Sequence, residues 1–501
     1  MSSMSGLNVL LKRIPYKFKT PFLLDSRAFI GGRWTPAASG ATFPVYDPED
    51  NQVAYKIANV SRVEVKTAIG AAQTASRQYK QLTHRNRKIL LREWTKLIKR
   101  SRDDLAAICT LELGKPITES YTTVDYGISF LEWFEGEIER LYGETIPAAR
   151  GSNRIMTYRE PQGVVAAVTP WNSPVAMILR KVGAAISAGN AVVLKPAPET
   201  PMCAIAIAKL FEQVDYPEGT LNIVTGDAAA SVDIGDEMCH NPAVRHLSFT
   251  GSTSVGKFLN AECAKHLKKT SMELGGNAPF IVFEDANIQK AVSSLANSDL
   301  LDKHACALTA LLSTIPSSTS SQRDSRKQLM AFLNTGLYGT RMLILAPLYS
   351  SRGVEKAKAH QEDAVSKGAK IISGGFIKED LGPNFYVPTI LTGGPSQEMR
   401  SWTQETFGPV MHLTPFETEE EVIKLANTEE SGLASYFYTE DISRVWRVSE
   451  ALETGMVGVR TGLVSACEQP FGGIKESGIG REGSKFGVED YTNIKSITVG
   501  L

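Results

Sequence analysis

The sequence lacks the features that mark membrane-spanning, metal-binding and disulfide-rich proteins. No apolar run approaches the roughly 20 residues that a bilayer-spanning helix requires. The 6 cysteines stand at positions 109, 203, 239, 263, 306 and 467, and they form neither a CxxC pair nor a cluster with histidine. We therefore expect no metal site, no disulfide framework and a reducing compartment.

The sequence also lacks an excess of charge of either sign. Its 54 lysine and arginine residues equal its 54 aspartate and glutamate residues, so the totals indicate neither nucleic acid nor an acidic membrane as a partner. The segment from Met1 to Leu24 is basic and has no acidic residue before Asp25. It is typical of an organelle transit peptide and equally of a loose basic arm, so a mitochondrial and a cytoplasmic location both stay open.

The 501 residues do contain the alternation of strands and helices that is typical of α/β proteins, with enough length for two or three domains. Helical spacing of apolar residues covers Val63–Arg77, Asn86–Leu113, Tyr121–Glu139 and Val354–Lys367. Short apolar runs between helical stretches predict buried parallel strands at Val164–Val168, Ala191–Pro196, Leu221–Gly226 and His246–Gly251. Such a sheet is covered on both faces and binds ligands at the carboxyl ends of its strands.

Three features of this half of the chain could carry chemistry, and each also has a purely structural interpretation. Gly251–Gly256 follows a strand and opens a helix, which suits a pyrophosphate or a simple tight turn. Lys195 ends a buried strand, where it could meet a ribose or phosphate, or extend to solvent. Glu273 lies among apolar residues and glycines, as a general base with a raised pKa would, but a helix cap or an ion pair would also explain it.

Six motifs follow one another along the chain. They are Thr169-Pro170-Trp171-Asn172, Lys195-Pro196-Ala197, Phe249-Thr250-Gly251-Ser252, Glu273-Leu274-Gly275-Gly276, Glu405-Thr406-Phe407-Gly408-Pro409 and Pro470-Phe471-Gly472-Gly473. This series closely resembles the aldehyde dehydrogenase superfamily, from about Phe29 to the end, except over Ser298–Leu345. The resemblance implies an α/β fold with a Rossmann-type dinucleotide-binding domain (20–140 and 160–275) and an α/β catalytic domain (276–470). It also implies oligomerisation elements, a hairpin at 141–159 and the strand within 485–501, that support a homodimer or homotetramer.

Within the superfamily the chain is most similar to the succinate-semialdehyde dehydrogenases. Trp171–Pro174, Met177–Lys181 and the tail Gly472–Gly483 carry this resemblance. It implies that Arg180 binds the distal carboxylate of the substrate, a group that the arginine fork pairs with well, and that Ser465 has a similar role. Arg460 departs from the family, which has asparagine there, and we expect the extra cation beside the substrate channel to perturb selectivity.

The resemblance also implies a mechanism and a set of cofactor contacts. A cysteine thiolate attacks the aldehyde, Asn172 and a backbone N–H stabilise the oxyanion, hydride passes to NAD or NADP, and Glu273 activates the water that hydrolyses the thioester. The positions that match cofactor contacts are Thr169, Trp171, Lys195, Glu199, Gly251, Ser252, Leu274 and Glu405. Nothing in 195–199 decides between NAD and NADP.

The nucleophile that this mechanism needs is missing. The superfamily has a Gly-Gln-x-Cys-x-x-Ala-Asn-Arg-type stretch shortly after the position of Glu273, whereas this chain has Asp-Lys-His-Ala-Cys-Ala-Leu-Thr-Ala over Asp302–Ala310. Cys306 is close to the expected spacing. Its neighbours differ from the motif and nothing in the sequence lowers its pKa, so we do not assign it as the nucleophile.

The genetic code offers an explanation for the missing motif. One allowed spelling of Asp302–Ala310 is GAC AAG CAT GCG TGT GCG CTA ACC GCN. Shifted by one base, it encodes Gln-Ala-Cys-Val-Cys-Ala-Asn-Arg, which is the nucleophile motif of the superfamily. Our hypothesis is a reading-frame error between about Asp299 and Ala346. Three functions stay open: a succinate-semialdehyde dehydrogenase, a dehydrogenase for another aldehyde, and a catalytically inactive NAD(P)-binding relative.

Overall fold

The computed structural model describes residues 16–297, 307–313 and 346–501. The α-helices in those residues, α1 to α14, are Arg62–Tyr79, His84–Arg100, Arg102–Leu113, Ile117–Glu137, Pro174–Ser187, Pro201–Phe211, Ala228–His240, Thr253–Ala264, Ile288–Asn297, Ser351–Ser366, Arg400–Thr403, Glu419–Ala426, Ile442–Ala451 and Ser484–Glu489. The strands β1 to β11 are Ala28–Ile30, Arg33–Thr35, Thr42–Tyr46, Val53–Ala58, Thr145–Ile146, Asn153–Pro161, Val164–Val168, Ala191–Lys195, Leu221–Ile223, Val244–Thr250 and Lys269–Glu273. The strands β12 to β22 are Asn277–Val282, Ala307–Ser313, Lys370–Ser373, Thr389–Thr392, Val410–Phe416, Ser431–Gly432, Ala434–Tyr438, Met456–Val459, Ile474–Lys475, Gly478–Ile479 and Thr492–Gly500.

The first sheet has eight strands in the order β2-β1-β9-β8-β7-β10-β11-β21. Strands β7 to β11 are parallel to the neighbours they pair with in this group, which confirms the predicted α/β class and its parallel strands. Strand β8 is buried along its whole length, as a parallel strand covered on both faces should be. From β7 the chain adds β8 and β9 on one side and then β10 and β11 on the other. A ligand crevice opens beside such a switch point, at the carboxyl ends of the strands.

The helices before this sheet differ from the prediction at one place. The pattern over Asn86–Leu113 predicts one helix, but the structure has two, α2 and α3, which meet at Ser101. Ser101 has a φ of −96° and a ψ of 12°, outside helical geometry, and Asp103 and Asp104 follow it. Acidic residues in a first turn stabilise a helix start. Helix α3 ends at Gly114, whose φ of 68° is the left-handed conformation of a C-cap glycine.

The second sheet has seven strands in the order β14-β15-β16-β13-β12-β18-β19. Its pairs are parallel except that β14 runs antiparallel to β15. Phe280, Tyr436 and Tyr438 from neighbouring strands meet in its core. Only 274–276 separate the end of β11 from the start of β12, so the end of β11 lies at the junction of the two large sheets.

The third sheet consists of β22, β6 and β5. Strand β22 pairs with β6 from Thr492 opposite Pro161 to Gly500 opposite Asn153, and its residues after Thr492 are exposed. The predicted domain limits and the predicted role of this sheet in oligomers stay predictions.

Two regions named in the sequence analysis lie largely outside the described residues. They are the basic segment through residue 15 and the segment 299–346, in which the structure describes strand β13 and residue 346. Cys306 is therefore outside the described part of the chain. None of the described helices is long and apolar enough to cross a membrane.

Candidate active site

A cavity of about 380 Å³ is lined by residues that follow β7, β10 and β11 and by residues of β18. It thus lies at the carboxyl ends of the parallel strands, where the sheet topology favours a ligand. Nine of the predicted site residues line it: Trp171, Asn172, Arg180, Gly251, Ser252, Glu273, Leu274, Glu405 and Ser465. Three others, Thr169, Lys195 and Glu199, are not in its wall.

Asn172 lies in the loop between β7 and α5. Its Oδ1 is buried and has no hydrogen-bond partner among the described residues. Leaving such a group unpaired costs about 1–3 kcal/mol, a cost that native proteins retain mainly where a site needs the group. The NH2 group of the same amide is a donor of the kind that an oxyanion requires.

Gly251 and Ser252 form the turn between β10 and α8. The N–H of Gly251 donates to the carbonyl of Glu273 at 3.1 Å, and a Cβ at Gly251 would lie 2.5 Å from the ring of Phe249. The side chain of Ser252 makes no capping hydrogen bond to α8 within the described residues, so the first N–H groups of this helix are available to an anion. The turn is tight and is also suited to a pyrophosphate.

Lys195 ends β8 beside Thr169, whose N–H donates to the Lys195 carbonyl at 3.2 Å. The lysine is 6% exposed, so it does not extend to solvent as the structural interpretation requires. Burial lowers the pKa of its ammonium to about 8, although Glu199 and Asp227 act in the opposite direction. Glu199 in turn pairs with Arg352 at 3.2 Å. Lys195 and Glu199 therefore form a partly desolvated charged group at the end of β8.

Glu273 ends β11 and is 4% exposed. Burial, reinforced by the negative charge of Glu482, raises its pKa to about 8, although Arg180 and Lys181 lower it. Its Oε1 has no hydrogen-bond partner in the described part of the chain, so neither a helix cap nor an ion pair explains that oxygen. A buried carboxyl with a pKa near neutrality is suited to general-base work.

Glu482 is the centre of a buried charge cluster beside Glu273. Its carboxylate lies 2.5 Å from Arg180 Nε and accepts a hydrogen bond from Lys181 Nζ, while Lys181 also donates to Ser248 Oγ at 3.0 Å. Burial alone would raise the pKa of Glu482, but the two cations lower it overall. The sequence analysis assigned Arg180 and gave no role to Lys181 or Glu482. The sequence did contain one indication of a buried charge, namely a lysine, Lys181, within the largely apolar helix α5.

Glu405 faces Lys356 in the cavity wall. Burial raises the pKa of Glu405 to about 7, although Lys356 and the Gly276 N–H oppose the change. Burial likewise lowers the pKa of Lys356, with Glu405 acting in the opposite direction. Lys356 was not predicted, because the sequence pattern of the amphipathic helix α10 does not distinguish a lysine in a cavity wall from a solvent-exposed one.

Aromatic rings form one wall of the cavity. Trp171 stacks on Tyr349 with ring centroids 3.7 Å apart and meets Phe407 edge-on at 5.3 Å. All three residues line the cavity. A flat apolar wall of this kind suits an aromatic ring such as nicotinamide. Tyr349 was not predicted as a site residue.

Ser465 approaches Arg180 through a tyrosine. Its hydroxyl is hydrogen-bonded to that of Tyr126, and both side chains line the cavity with Arg180. Arg180 is further enclosed by Phe471, whose ring centroid lies 4.5 Å from the guanidinium carbon. Tyr126 is another site residue that the sequence analysis missed.

Arg460 does not face the cavity, so the expectation of an extra cation beside the substrate channel is wrong. Its Nε donates to the Thr439 carbonyl at 2.6 Å, its Nη1 lies 3.6 Å from Glu440, and it is not in the cavity wall. Its φ is 56°, a left-handed conformation that asparagine adopts more readily than most residues. Arg460 therefore occupies a backbone conformation that asparagine would adopt more readily.

None of the described cysteines lines the cavity. Cys467 is only partly buried, but its thiol donates to Glu468 at 3.2 Å, and burial and that hydrogen bond raise its pKa. It therefore has no feature of an activated nucleophile.

Comparison with known proteins gave the following similarities. The profile described as "Aldehyde dehydrogenase family" matches residues 34–497. Glutarate-semialdehyde dehydrogenase of Pseudomonas aeruginosa is 44% identical over 485 residues, 97% of this chain and 99% of that protein. Succinate-semialdehyde dehydrogenase (NADP+) 1 of Schizosaccharomyces pombe is 44% identical over 481 residues, 95% of each chain. The crystal structure of succinate-semialdehyde dehydrogenase from Burkholderia pseudomallei has a TM-score of 0.91 at 42% identity and covers 97% of this chain and 100% of that chain.

Proposed function

This chain belongs to the aldehyde dehydrogenase family, as the sequence motifs predicted, and we propose that it oxidises succinate semialdehyde to succinate with NAD or NADP. The observation that carries the proposal is the position of Arg180. Its guanidinium lies in the wall of the cavity that also contains Asn172 and Glu273. Arginine stays charged at any physiological pH and pairs with carboxylates, so one cavity offers both an aldehyde site and an anchor for a distal carboxylate.

The charge balance of the buried cluster around Glu482, beside the cavity, supports an anionic substrate. Arg180 and Lys181 are two cations, and Glu482 is one anion. Glu273, with a pKa of about 8, is largely protonated at pH 7. The cluster then has an excess of one positive charge, which one substrate carboxylate would balance.

The residues divide the proposed reaction among themselves. A cysteine thiolate attacks the aldehyde carbon, and the Asn172 amide donates to the resulting oxyanion. NAD or NADP, when bound, would supply the hydride acceptor. Glu273 in its ionised form then takes a proton from the water that hydrolyses the thioester. Lys195, Ser252 and Glu405 would hold the dinucleotide through its ribose and pyrophosphate groups.

The cysteine itself is the subject of a second proposal. We propose that the gene encodes the Gln-Ala-Cys motif one base out of frame from Asp302–Ala310. Sequencing the transcript across Asn297–Tyr349 tests this, and a transcript without that motif in either frame contradicts it. The 501-residue chain, which has no such motif, is expected to bind the dinucleotide and to show no aldehyde-dependent reduction of it. The chain translated with the Gln-Ala-Cys motif, here called the in-frame enzyme, is expected to show both.

The substrate is tested with the in-frame enzyme. We expect kcat/KM for succinate semialdehyde to exceed that for butyraldehyde by at least about 100-fold, because butyraldehyde has no carboxylate to accept from the Arg180 guanidinium in the cavity wall. Arg180→Met should remove this preference, and Lys181 would remain as the cation that pairs with the buried Glu482. Arg92→Met, at an exposed ion pair with Glu135, is the control. Equal rates for both aldehydes contradict the proposal.

Two other functions remain, each with an observation in its favour. Glutarate semialdehyde has the same distal carboxylate one methylene further away, and a dehydrogenase named for it is 44% identical to this chain. A chain length series of ω-semialdehydes separates it from succinate semialdehyde. A catalytically inactive NAD(P)-binding relative is favoured by the absence of a described cysteine from the cavity. This function would be supported if the 501-residue chain and the chain translated in the shifted frame both bound the dinucleotide and neither oxidised an aldehyde.

We also propose that the β5-β6-β22 sheet forms a contact between subunits. One face of β6 and β22 exposes Met156, Tyr158, Ile497 and Val499, each at least 40% accessible. Exposed apolar side chains gathered on one face are typical of a protein–protein contact. A homodimer or homotetramer would cover them.

A further inference from the structure

Tyr126 is a polar side chain of the cavity wall that the proposed mechanism does not use. It belongs to α4, which packs against α5, the helix that carries Arg180. The two helices approach closely at Gly127, where a Cβ would lie 3.0 Å from Leu179. This approach brings the Tyr126 ring beside the guanidinium of Arg180.

Packing fixes the direction of the Tyr126 hydroxyl. The ring meets Phe130, one turn further along α4, edge-on with centroids 4.7 Å apart. The hydroxyl is hydrogen-bonded to Ser465 Oγ, and the guanidinium of Arg180 interacts with the phenol oxygen. Both partners lie on elements far from α4 in sequence, so the tyrosine joins the helix of Arg180 to the loop of Ser465.

The donors and acceptors are compatible with an arrangement of protons that provides one donor to the cavity. A guanidinium only donates, so the Tyr126 oxygen is the acceptor towards Arg180. Either hydroxyl can donate in the hydrogen bond between Tyr126 and Ser465. When Tyr126 donates its single phenol proton to Ser465 Oγ, the proton of the Ser465 hydroxyl is available to a group in the cavity.

We propose that Tyr126 is a specificity-determining residue, which orients Ser465 as a donor and completes with Arg180 a binding site for the distal carboxylate of a short semialdehyde. The proposal rests on the proposed function, because it gives Tyr126 a part in the same substrate site. A carboxylate in this site accepts from the arginine and from the serine. An uncharged aldehyde would offer no charged acceptor to either of them.

Tyr126→Phe tests the inference, because it removes the hydroxyl and keeps the ring. Succinate binding, measured by isothermal titration calorimetry, needs no nucleophile, so the full 501-residue chain is used. We expect Tyr126→Phe and Ser465→Ala each to weaken succinate binding by about 10-fold, as loss of a hydrogen bond to a charged group does. The double variant should lose no more than about 10-fold in succinate affinity, since the Tyr126 hydroxyl acts on succinate only in series, through the Ser465 hydroxyl. Dinucleotide affinity should stay unchanged in all three variants.

Tyr121→Phe is the matched control, because it removes a hydroxyl from the same helix outside the cavity wall. Its succinate affinity should equal that of the wild-type chain. If Tyr126→Phe binds succinate as tightly as the wild-type chain does, the role of Tyr126 is overturned and the proposed substrate stands. A double variant with the product of the two single losses overturns the series arrangement. If the wild-type chain binds neither succinate nor glutarate, the proposed function itself fails.

Discussion

The carboxylate of Glu273 is packed directly against the backbone of Gly472. A Cβ at residue 472 would lie 2.7 Å from Glu273 Oε1 and 3.0 Å from Arg481 Cδ. That oxygen has no hydrogen-bond partner among the described residues. The proposed base is thus positioned by the shape of its surroundings, and the space it occupies exists because residue 472 has no side chain.

Gly472→Ala should therefore displace the proposed base. We expect kcat of the in-frame enzyme to fall by roughly 10- to 100-fold, as a misplacement of about 1 Å in a catalytic group does. Overpacking should also lower the free energy of unfolding by about 1–3 kcal/mol. Gly151→Ala is the control, because no heavy atom lies within 4 Å of the added Cβ there. An unchanged kcat in Gly472→Ala would show that Glu273 does not work from this position.

The raised pKa of Glu273 predicts how the rate depends on pH. Burial and the charge of Glu482 raise this pKa from 4.5 to about 8, and a general base acts in its ionised form. When thioester hydrolysis limits the rate, kcat should rise between pH 7 and pH 9 with an inflection near 8. Glu273→Gln should abolish this rise, and pre-steady-state measurement of the hydrolysis step checks it. A flat profile in the unsubstituted enzyme would contradict the assignment.

The same pKa predicts an opposite trend for stability. The folded chain keeps the Glu273 proton up to about pH 8, whereas the unfolded chain releases it near 4.5. Stability from this group is therefore full below about pH 4.5 and is lost as the pH rises towards 8. Glu273→Gln should raise Tm relative to the original chain more at pH 8.5 than at pH 5.5. An equal difference in Tm at the two pH values would mean that Glu273 titrates normally.

The sequence motifs predicted the parts of the site that depend on local pattern. Asn172 and Ser252 follow short apolar strands, and parallel strands end at the same edge, so their convergence follows from the sheet alone. Lys195 is the last residue of such a strand, yet it lies outside the cavity wall. Strand ends alone therefore did not determine which residues share the cavity.

The parts that depend on distant contacts could not be predicted from local pattern. Lys181 and Glu482 are 301 residues apart in sequence, and neither environment shows that the other charge is nearby. Tyr126 sits at a position that helical spacing explains equally well as packing. Arg460 was misinterpreted because its position in sequence beside the substrate loop says nothing about where its side chain points, and its backbone conformation directs it to Thr439.

Loss of one charge from the buried cluster should be costly. Lys181→Met leaves Glu482 with Arg180 as its remaining cation, and Ser248 keeps only the hydroxyl of Tyr491 of its two donors. Breaking a buried pair in this way destabilises proteins by about 3–5 kcal/mol, and urea unfolding measures the change. Adding Glu482→Gln should deepen the loss, because Arg180 would then be buried without the anion that it pairs with. Lys66→Met is the control: its side chain is 61% exposed, and the expected change is within about 0.5 kcal/mol. A loss of under 1 kcal/mol in Lys181→Met would mean that the cluster is solvated.

The exposed face of the third sheet predicts an association of subunits that one charge should disrupt. Ile497 lies opposite Met156 on paired strands, and both side chains are at least 40% accessible. Ile497→Lys would place an unpaired charge at the centre of the proposed contact, and buried unpaired charges are strongly unfavourable. The mass measured by light scattering should fall from a multiple of 54.5 kDa towards the single chain. Ser496→Lys adds the same charge on the opposite face of β22 and should leave the mass unchanged. A wild-type mass of one chain would contradict the oligomer, and an intact oligomer in Ile497→Lys would place the contact elsewhere.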